Sequence, residues 1–185
     1  MRVKIMRVIV ILTFSVLTGV SAAQSAAHSS TAALEVTFAF TRQNGHSNQF
    51  ALWIEDTEGK YLKTLYITRW TANGGYRRTS SIPEWVKKSE PSKMIKSQID
   101  AISGATPKTG KLTFTWDRTD DSGATLPAGD YVLVIEGTLR LKNQVYCKVP
   151  VTVGKGATTP KVNVEYVGNE TAERSMIKDV KVIAL

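Results

Sequence analysis

Leu34-Glu-Val-Thr-Phe-Ala-Phe40 decides the fold class. Apolar side chains at 34, 36, 38 and 40 alternate with Glu35, Thr37 and Ala39, a period of two that puts one face in a core and the other toward solvent. Working outward, Asn44-Gly45 marks a turn and Phe50-Ala-Leu-Trp-Ile-Glu55 supplies the next strand. A turn at Asp56 to Gly59 leads to a strand over Tyr61 to Trp70. Lys111 to Trp116, Gly129 to Gly137, Gln144 to Val153 and Lys161 to Val167 carry the same strand composition, punctuated by Gly, Pro and Asn. This spacing predicts an all-β chain folded as a sandwich of two sheets, one domain over residues 34–185 with enough length for a sizeable core.

Ile82 to Ile102 breaks the strand pattern. Pro83-Glu-Trp-Val-Lys-Lys-Ser89 reads as a short helix with Pro in its first turn and Ser81 as its cap, a helical insertion in the β framework. The apolar tail from Val180 to Leu185 fits either an extra strand or a segment that docks on a partner.

The amino terminus is an export signal. Arg2, Lys4 and Arg7 precede an apolar run from Val8 to Val20, and Ser21-Ala-Ala23 offers small residues for cleavage before Gln24. The run is short for a bilayer span and diluted by Thr and Ser, and no cysteine follows it for lipid attachment. Residues 1–23 are therefore expected to be removed, leaving a polar leader over 24–33 and a periplasmic chain that does not span the membrane.

Cleavage removes three basic residues and no acidic one, lowering the formal charge from +8 to +5. The remaining excess is spread out, with pairs such as Arg77-Arg78 and Lys87-Lys88. A nucleic-acid binder would concentrate it in a stripe or a recognisable module, and neither is present. A solvated basic surface accounts for the charge, or one that favours an anionic membrane or an acidic redox partner. Cys147 is the only cysteine, so an intrachain disulfide and multi-cysteine metal sites are excluded. It alternates with Val145, Val149 and Val151 and is expected to face the core. His28 and His46 lie apart, and no catalytic triad or metal-ligand spacing is readable. Asp117, Asp120 and Asp121 before Gly123 faintly suggest a calcium loop, but the ligand alternation and distal Glu are missing and a turn explains them better. No catalytic and no metal-ligating residue is expected.

One stretch carries chemistry. Asp100-Ala-Ile-Ser-Gly-Ala-Thr106 places a hydroxyl after two residues almost without side chains. Ser122-Gly-Ala-Thr125 lacks the acid three positions before its Ser, and Gly156-Ala-Thr158 lacks both acid and Ser. Only the first copy is complete. It resembles the acceptor motif on which a periplasmic flavin transferase joins FMN to a threonine through a phosphoester, as in FMN-binding subunits of bacterial respiratory complexes. The resemblance implies that Thr106 carries covalent FMN. The hydroxyl would attack the FAD pyrophosphate and displace AMP, with Gly104 and Ala105 permitting close approach and Ser103 offering a further hydroxyl. Asp100 would orient the acceptor or meet the transferase's metal. An ordinary Ser/Gly turn is the competing reading of the same residues.

The wider chain is similar to a known family. Phe50-Ala-Leu-Trp-Ile-Glu-Asp56 with Gly59-Lys-Tyr61, Leu65-Tyr-Ile-Thr-Arg-Trp70, the Asp100 motif, and Trp116-Asp117 with Leu126-Pro-Ala-Gly-Asp-Tyr131 resemble the predicted periplasmic proteins of domain-of-unknown-function family 2271, from about Leu34 to Val167. Some members of that family belong to flavin-based extracytosolic electron-transfer systems alongside membrane proteins with PepSY-type domains. Separately, Trp116 to Tyr131 resembles the Ig-like hairpin of flagellar hook-capping proteins, which implies an Ig-like β-sandwich.

Of the tryptophans, Trp53 and Trp116 are expected in the core. Trp70 and Trp85 flank the irregular region near Arg69, Arg77 and Arg78 and are the candidates for flavin contact, where a guanidinium would favour the reduced, anionic cofactor. The resulting expectation is an exported electron carrier, served by a periplasmic flavin transferase and exchanging electrons with membrane or periplasmic redox partners, more an electron-transfer protein than a turnover enzyme. The alternative is a cofactor-free periplasmic Ig-like module that binds a partner protein or a cell-surface structure.

Overall fold

The computed structural model describes residues 32–185, so the expected signal peptide and all but the last two residues of the leader lie outside it. Strands β1 (Leu34–Phe40), β2 (Gln49–Glu55), β3 (Tyr61–Thr68), β4 (Ser103–Gly104), β5 (Gly110–Trp116), β6 (Gly129–Arg140), β7 (Asn143–Val153), β8 (Val164–Val167) and β9 (Ile177–Ala184) form two sheets. The smaller has the order β5-β1-β9 and the larger β4-β3-β2-β6-β7-β8. Every described pairing between strands is antiparallel except β3 with β4. This is the all-β sandwich that the alternation predicts.

The main core lies between the sheets. Leu34, Val36, Phe38 and Phe40 of β1 meet Phe50, Leu52 and Ile54 of β2, Leu133 and Ile135 of β6, and the inward residues of β7, including Cys147. Every residue of β2 is nevertheless buried. Its other face is covered by the insertion, whose α1 (Arg69–Ala72), α2 (Pro83–Ser89) and α3 (Lys96–Ile102) are joined by 3₁₀ turns at Gly75–Arg77 and Pro91–Lys93. Ala51, Trp53, Ile67, Val134, Ile82, Trp85 and Ile99 form this second core. The helices thus make a third layer, and they explain why β2 reads as a near-continuous apolar run rather than a clean alternation.

The layer is anchored by polar contacts. Trp85 Nε1 donates to Thr64 Oγ1 at 2.8 Å, and Lys88 pairs at 3.4 Å with the buried Glu55. The expected Ser81 cap is not formed: Ile82 occupies the N-cap position of α2 with φ of 49°, and the Ser81 hydroxyl instead meets Thr71 Oγ1 at 3.0 Å. The capping acceptor comes from β6. Glu136 accepts from the Glu84 and Trp85 backbone N–H groups at 3.2 and 2.9 Å, satisfying donors that the helix cannot pair internally.

The strand expected to continue to Trp70 stops at Thr68, where α1 begins, and β8 covers only the last part of Lys161–Val167. The apolar tail is a strand: β9 starts at Ile177 and pairs with β1.

Candidate functional site

The motif is built at the junction of the helical layer and the sheet edge. Asp100 and Ala101 lie in the last turn of α3, which ends at Ile102 and whose first turn is closed by Gln98 Oε1 accepting from the Ile95 backbone N–H at 2.9 Å. The chain leaves the helix directly into β4, where Ser103 and Gly104 pair in parallel with Ile67 and Thr68. Ala105–Thr109 then crosses to the other sheet and enters β5 at Gly110. Asp100 is therefore helical rather than part of a loop. It is exposed and forms an ion pair with Lys96 one turn earlier.

Gly104 is required by packing, without any need for a positive φ. A Cβ there would sit 2.6 Å from Cε2 of Tyr66, so the backbone lies flat on the ring. The Tyr66 hydroxyl donates to the Ala105 carbonyl at 2.8 Å. The ring is itself held against Phe50 and Phe114, with centroids 5.0 and 5.1 Å away. Burial raises the Tyr66 phenol to about 12, opposed by the nearby Arg69, so at neutral pH it is a donor. Ser103 Oγ is buried and makes no hydrogen bond among the described residues. Ala105 is exposed and Thr106 half-buried. The Thr106 hydroxyl thus follows a two-residue anchor and lies on a surface crossing.

Because β4 runs parallel to β3, the chain after Gly104 heads the same way as the chain after Thr68, toward α1, which contacts β4. This brings Thr106 to the end of the sandwich that carries Trp70. Trp70 is 47 % exposed, and the Arg78 guanidinium lies 5.5 Å from its ring centroid. Trp85 is not at this surface. It is fully buried in the second core, where no isoalloxazine can stack on it, and its indole N–H is spent on Thr64. Sequence proximity misled here because α2 turns the indole inward against β3. Trp53 and Trp116 are core residues, as their strand positions imply.

Tyr66 is the side chain against the motif that sequence reasoning missed. It is an aromatic residue in a strand of ordinary pattern, and only its partner across the parallel β4 pairing marks it.

A groove of about 440 Å³ runs past Ala101 and Ile102, bounded by Lys63, Leu65, Trp116, Asp117 and Asp121, a size within the range of small-molecule sites. Its Ile102 wall is four residues from Thr106, at most about 14 Å away, but the groove opens toward the Trp116 end of β5, whereas Thr106 precedes the Gly110 end. In this groove Asp121 accepts from the Tyr61 hydroxyl at 2.8 Å, and burial raises its carboxyl. Burial also works against the charge of Asp117, but hydrogen bonds from Thr119 and Lys63 outweigh it and hold the carboxyl below its usual range. Asp120 closes the turn by accepting from Ser122 and Ala124 N–H groups at 2.8 and 3.0 Å. The three aspartates are thus engaged in local contacts. Among the described residues no His, Cys, Asp and Glu group is arranged to hold a metal ion, and no helix is long and apolar enough to cross a membrane.

The family model described as predicted periplasmic protein (DUF2271) matches residues 31–169. No curated protein and no solved structure matches the chain.

Proposed function

Starting from the chain's membership of the DUF2271 family of predicted periplasmic proteins, we propose that it is an exported electron carrier with FMN joined through a phosphoester to Thr106. The observation that carries this reading is the motif's placement. Its only complete copy emerges from a packed anchor, Gly104 on Tyr66, onto an accessible crossing at the same end as an exposed tryptophan and its neighbouring arginines.

The residues fit a phosphate-linked flavin. Ala105 leaves the approach to Thr106 Oγ open, and Arg69, Arg78 and Lys108 supply positive charge for a phosphate. The exposed face of Trp70 is the candidate stacking surface. In the attachment step, Thr106 Oγ bonds to the phosphorus of the FMN half of FAD, the pyrophosphate P–O bond breaks, AMP leaves, and the hydroxyl proton passes to solvent. Asp100 stays on α3 as a recognition or orienting group for the transferase. When bound, the flavin supplies the redox chemistry, and the protein supplies attachment and electrostatic tuning.

An Ig-like assignment of the sandwich is supported by one detail. The Tyr131 hydroxyl, at the start of β6, donates to the Pro127 carbonyl at 2.8 Å, four residues upstream, a contact like the tyrosine corner of Ig-type domains.

The test is the intact mass of the mature protein exported in a host expressing the transferase, with Thr106→Ala alongside. A gain of one FMN less water in the wild type, absent from the variant, is expected. An unmodified wild type, with the transferase active on a control substrate, overturns the reading and leaves the cofactor-free Ig-like binding module.

A further inference from the structure

Charge is segregated along the strand axis. One end of the sandwich is made by the β1–β2 connection, the α1 segment, the Ala105–Thr109 crossing, the β6–β7 turn and the β8–β9 connection. Arg42, Arg69, Arg77, Arg78 and Lys108 are exposed in these segments, and none forms an ion pair among the described residues. The Arg42 backbone N–H donates to Thr109 Oγ1 at 3.0 Å, which joins the first of these segments to the crossing. Arg140 and Lys142 extend the basic surface along the β6–β7 turn. The acids in the same connections are Glu170, which is buried, and Glu173, which adjoins Arg174. At the opposite end, Asp56, Glu58, Asp117, Asp120 and Asp121 offset the basic residues around them. The net positive charge of the mature chain is therefore concentrated at the end that bears Thr106.

We infer that this basic end is a docking face for an acidic protein surface, centred on Trp70. The inference goes beyond the flavin reading and uses no property of the cofactor. A flavin on Thr106 would lie within the face, at the place where electron exchange needs contact.

The composition favours a protein over a lipid surface. Trp70 is a half-exposed aromatic with the Arg78 guanidinium against its ring, the pairing that recurs at the centres of protein interfaces. Arg78 is held against the Trp70 ring and Arg77 against Tyr76, at 5.5 and 5.6 Å. Guanidinium planes fixed in this way can meet carboxylates with little further ordering. A membrane-surface element would present an amphipathic helix with a broad apolar face. Here α1 spans four residues, and part of its one large exposed apolar ring is covered by Arg78. The charge separation also orients an incoming acidic partner and disfavours the reversed encounter.

The test is an amide NMR titration of the unmodified mature chain with plant-type ferredoxin, a soluble acidic electron-transfer protein. Vesicles of phosphatidylglycerol in phosphatidylcholine form a second arm. Shifts confined to the basic end and largest over Arg69–Arg78 and Ala105–Gly110, weakening with salt, are expected. Arg77→Glu/Arg78→Glu should weaken binding at least tenfold, and Glu58→Lys at the opposite end should leave it unchanged. The proposal is overturned by no binding, by shifts spread over both ends, or by undiminished binding of the double variant. Tighter binding to the vesicles through the same arginines overturns it in favour of a membrane surface. No arm contains flavin, so failure here is separate from failure at Thr106.

Discussion

The Tyr66 hydroxyl donates to the Ala105 carbonyl at 2.8 Å while its ring lies under Gly104. One side chain of β3 therefore fixes the two residues before Thr106. Since Phe50 and Phe114 hold the ring, it cannot retreat from a new methyl group. Gly104→Ala should cost about 1–2 kcal/mol, the overlap outweighing the smaller gain from a stiffer unfolded chain. Tyr66→Phe keeps the ring and loses one hydrogen bond, a cost of about 1 kcal/mol or less. Urea denaturation midpoints measure both, and a neutral Gly104→Ala would show that the ring does not lie under Gly104.

Glu136 makes the stability depend on pH. Burial raises its carboxyl from the usual 4.5 to about 7, against the two backbone N–H groups of α2 that favour the anion. The folded value exceeds the unfolded one, so the protonated form favours folding. That stability is fully present below about pH 4.5 and is lost as pH rises to about 7, a change of about 3 kcal/mol. In Glu136→Gln this slope should disappear from unfolding free energies measured across the same window. A wild-type stability that is flat there would contradict the assignment. Below about pH 4.5 the variant should be less stable than the wild type, because an amide presents its NH₂ to one of the two donors, and it should gain on the wild type as pH rises to about 7.

The strands were legible where one face is dry and the other wet. Residues 34–40 carry that contrast, and β1 begins and ends there. The β9 strand was not, because a bulge breaks its alternation. Thr37 pairs with Lys181 and Ala39 with Lys178, so β9 carries an extra residue in this interval, where Asp179 has φ of 54°. Strand β4 has two residues and no pattern to read. At the candidate site, Gly104 and Thr106 were visible as residue types, but Tyr66 depends on a parallel pairing that spans the whole helical insertion. Ser81 was misread for a similar reason: the cap of α2 comes from Glu136, far along the chain.

Cys147 should be silent in the folded protein. It is 2 % exposed, and burial pushes its thiol up to about 11, so at pH 8 only about one thiol in a thousand is ionised even before access is considered. Ellman's reagent should label it stoichiometrically in urea and hardly at all in buffer. Fast labelling under native conditions would mean that β7 opens, or that it does not hold the register with β6 in which Cys147 lies opposite Ile135.

The three Gly-Ala-Thr sequences separate exposure from recognition. Thr125 and Thr158 are both exposed, whereas Thr106 is half-buried. If accessibility alone governed modification, Thr125 and Thr158 would be labelled first. Only Thr106 has an acid six positions earlier on a helix, Ser103 beside it and a backbone held to the sheet edge by Tyr66. A transferase that reads this shape as well as the hydroxyl should place the whole mass gain on Thr106. Peptide mapping of the modified protein checks this, with Thr125→Ala and Thr158→Ala expected to match the wild type. Asp100→Asn should lower the modified fraction while leaving the unfolding free energy within about 0.5 kcal/mol, because its pair with Lys96 is exposed. Label on Thr125 or Thr158 would show that the transferase needs only an accessible Gly-Ala-Thr, and the anchor at Gly104 would then have a purely structural role.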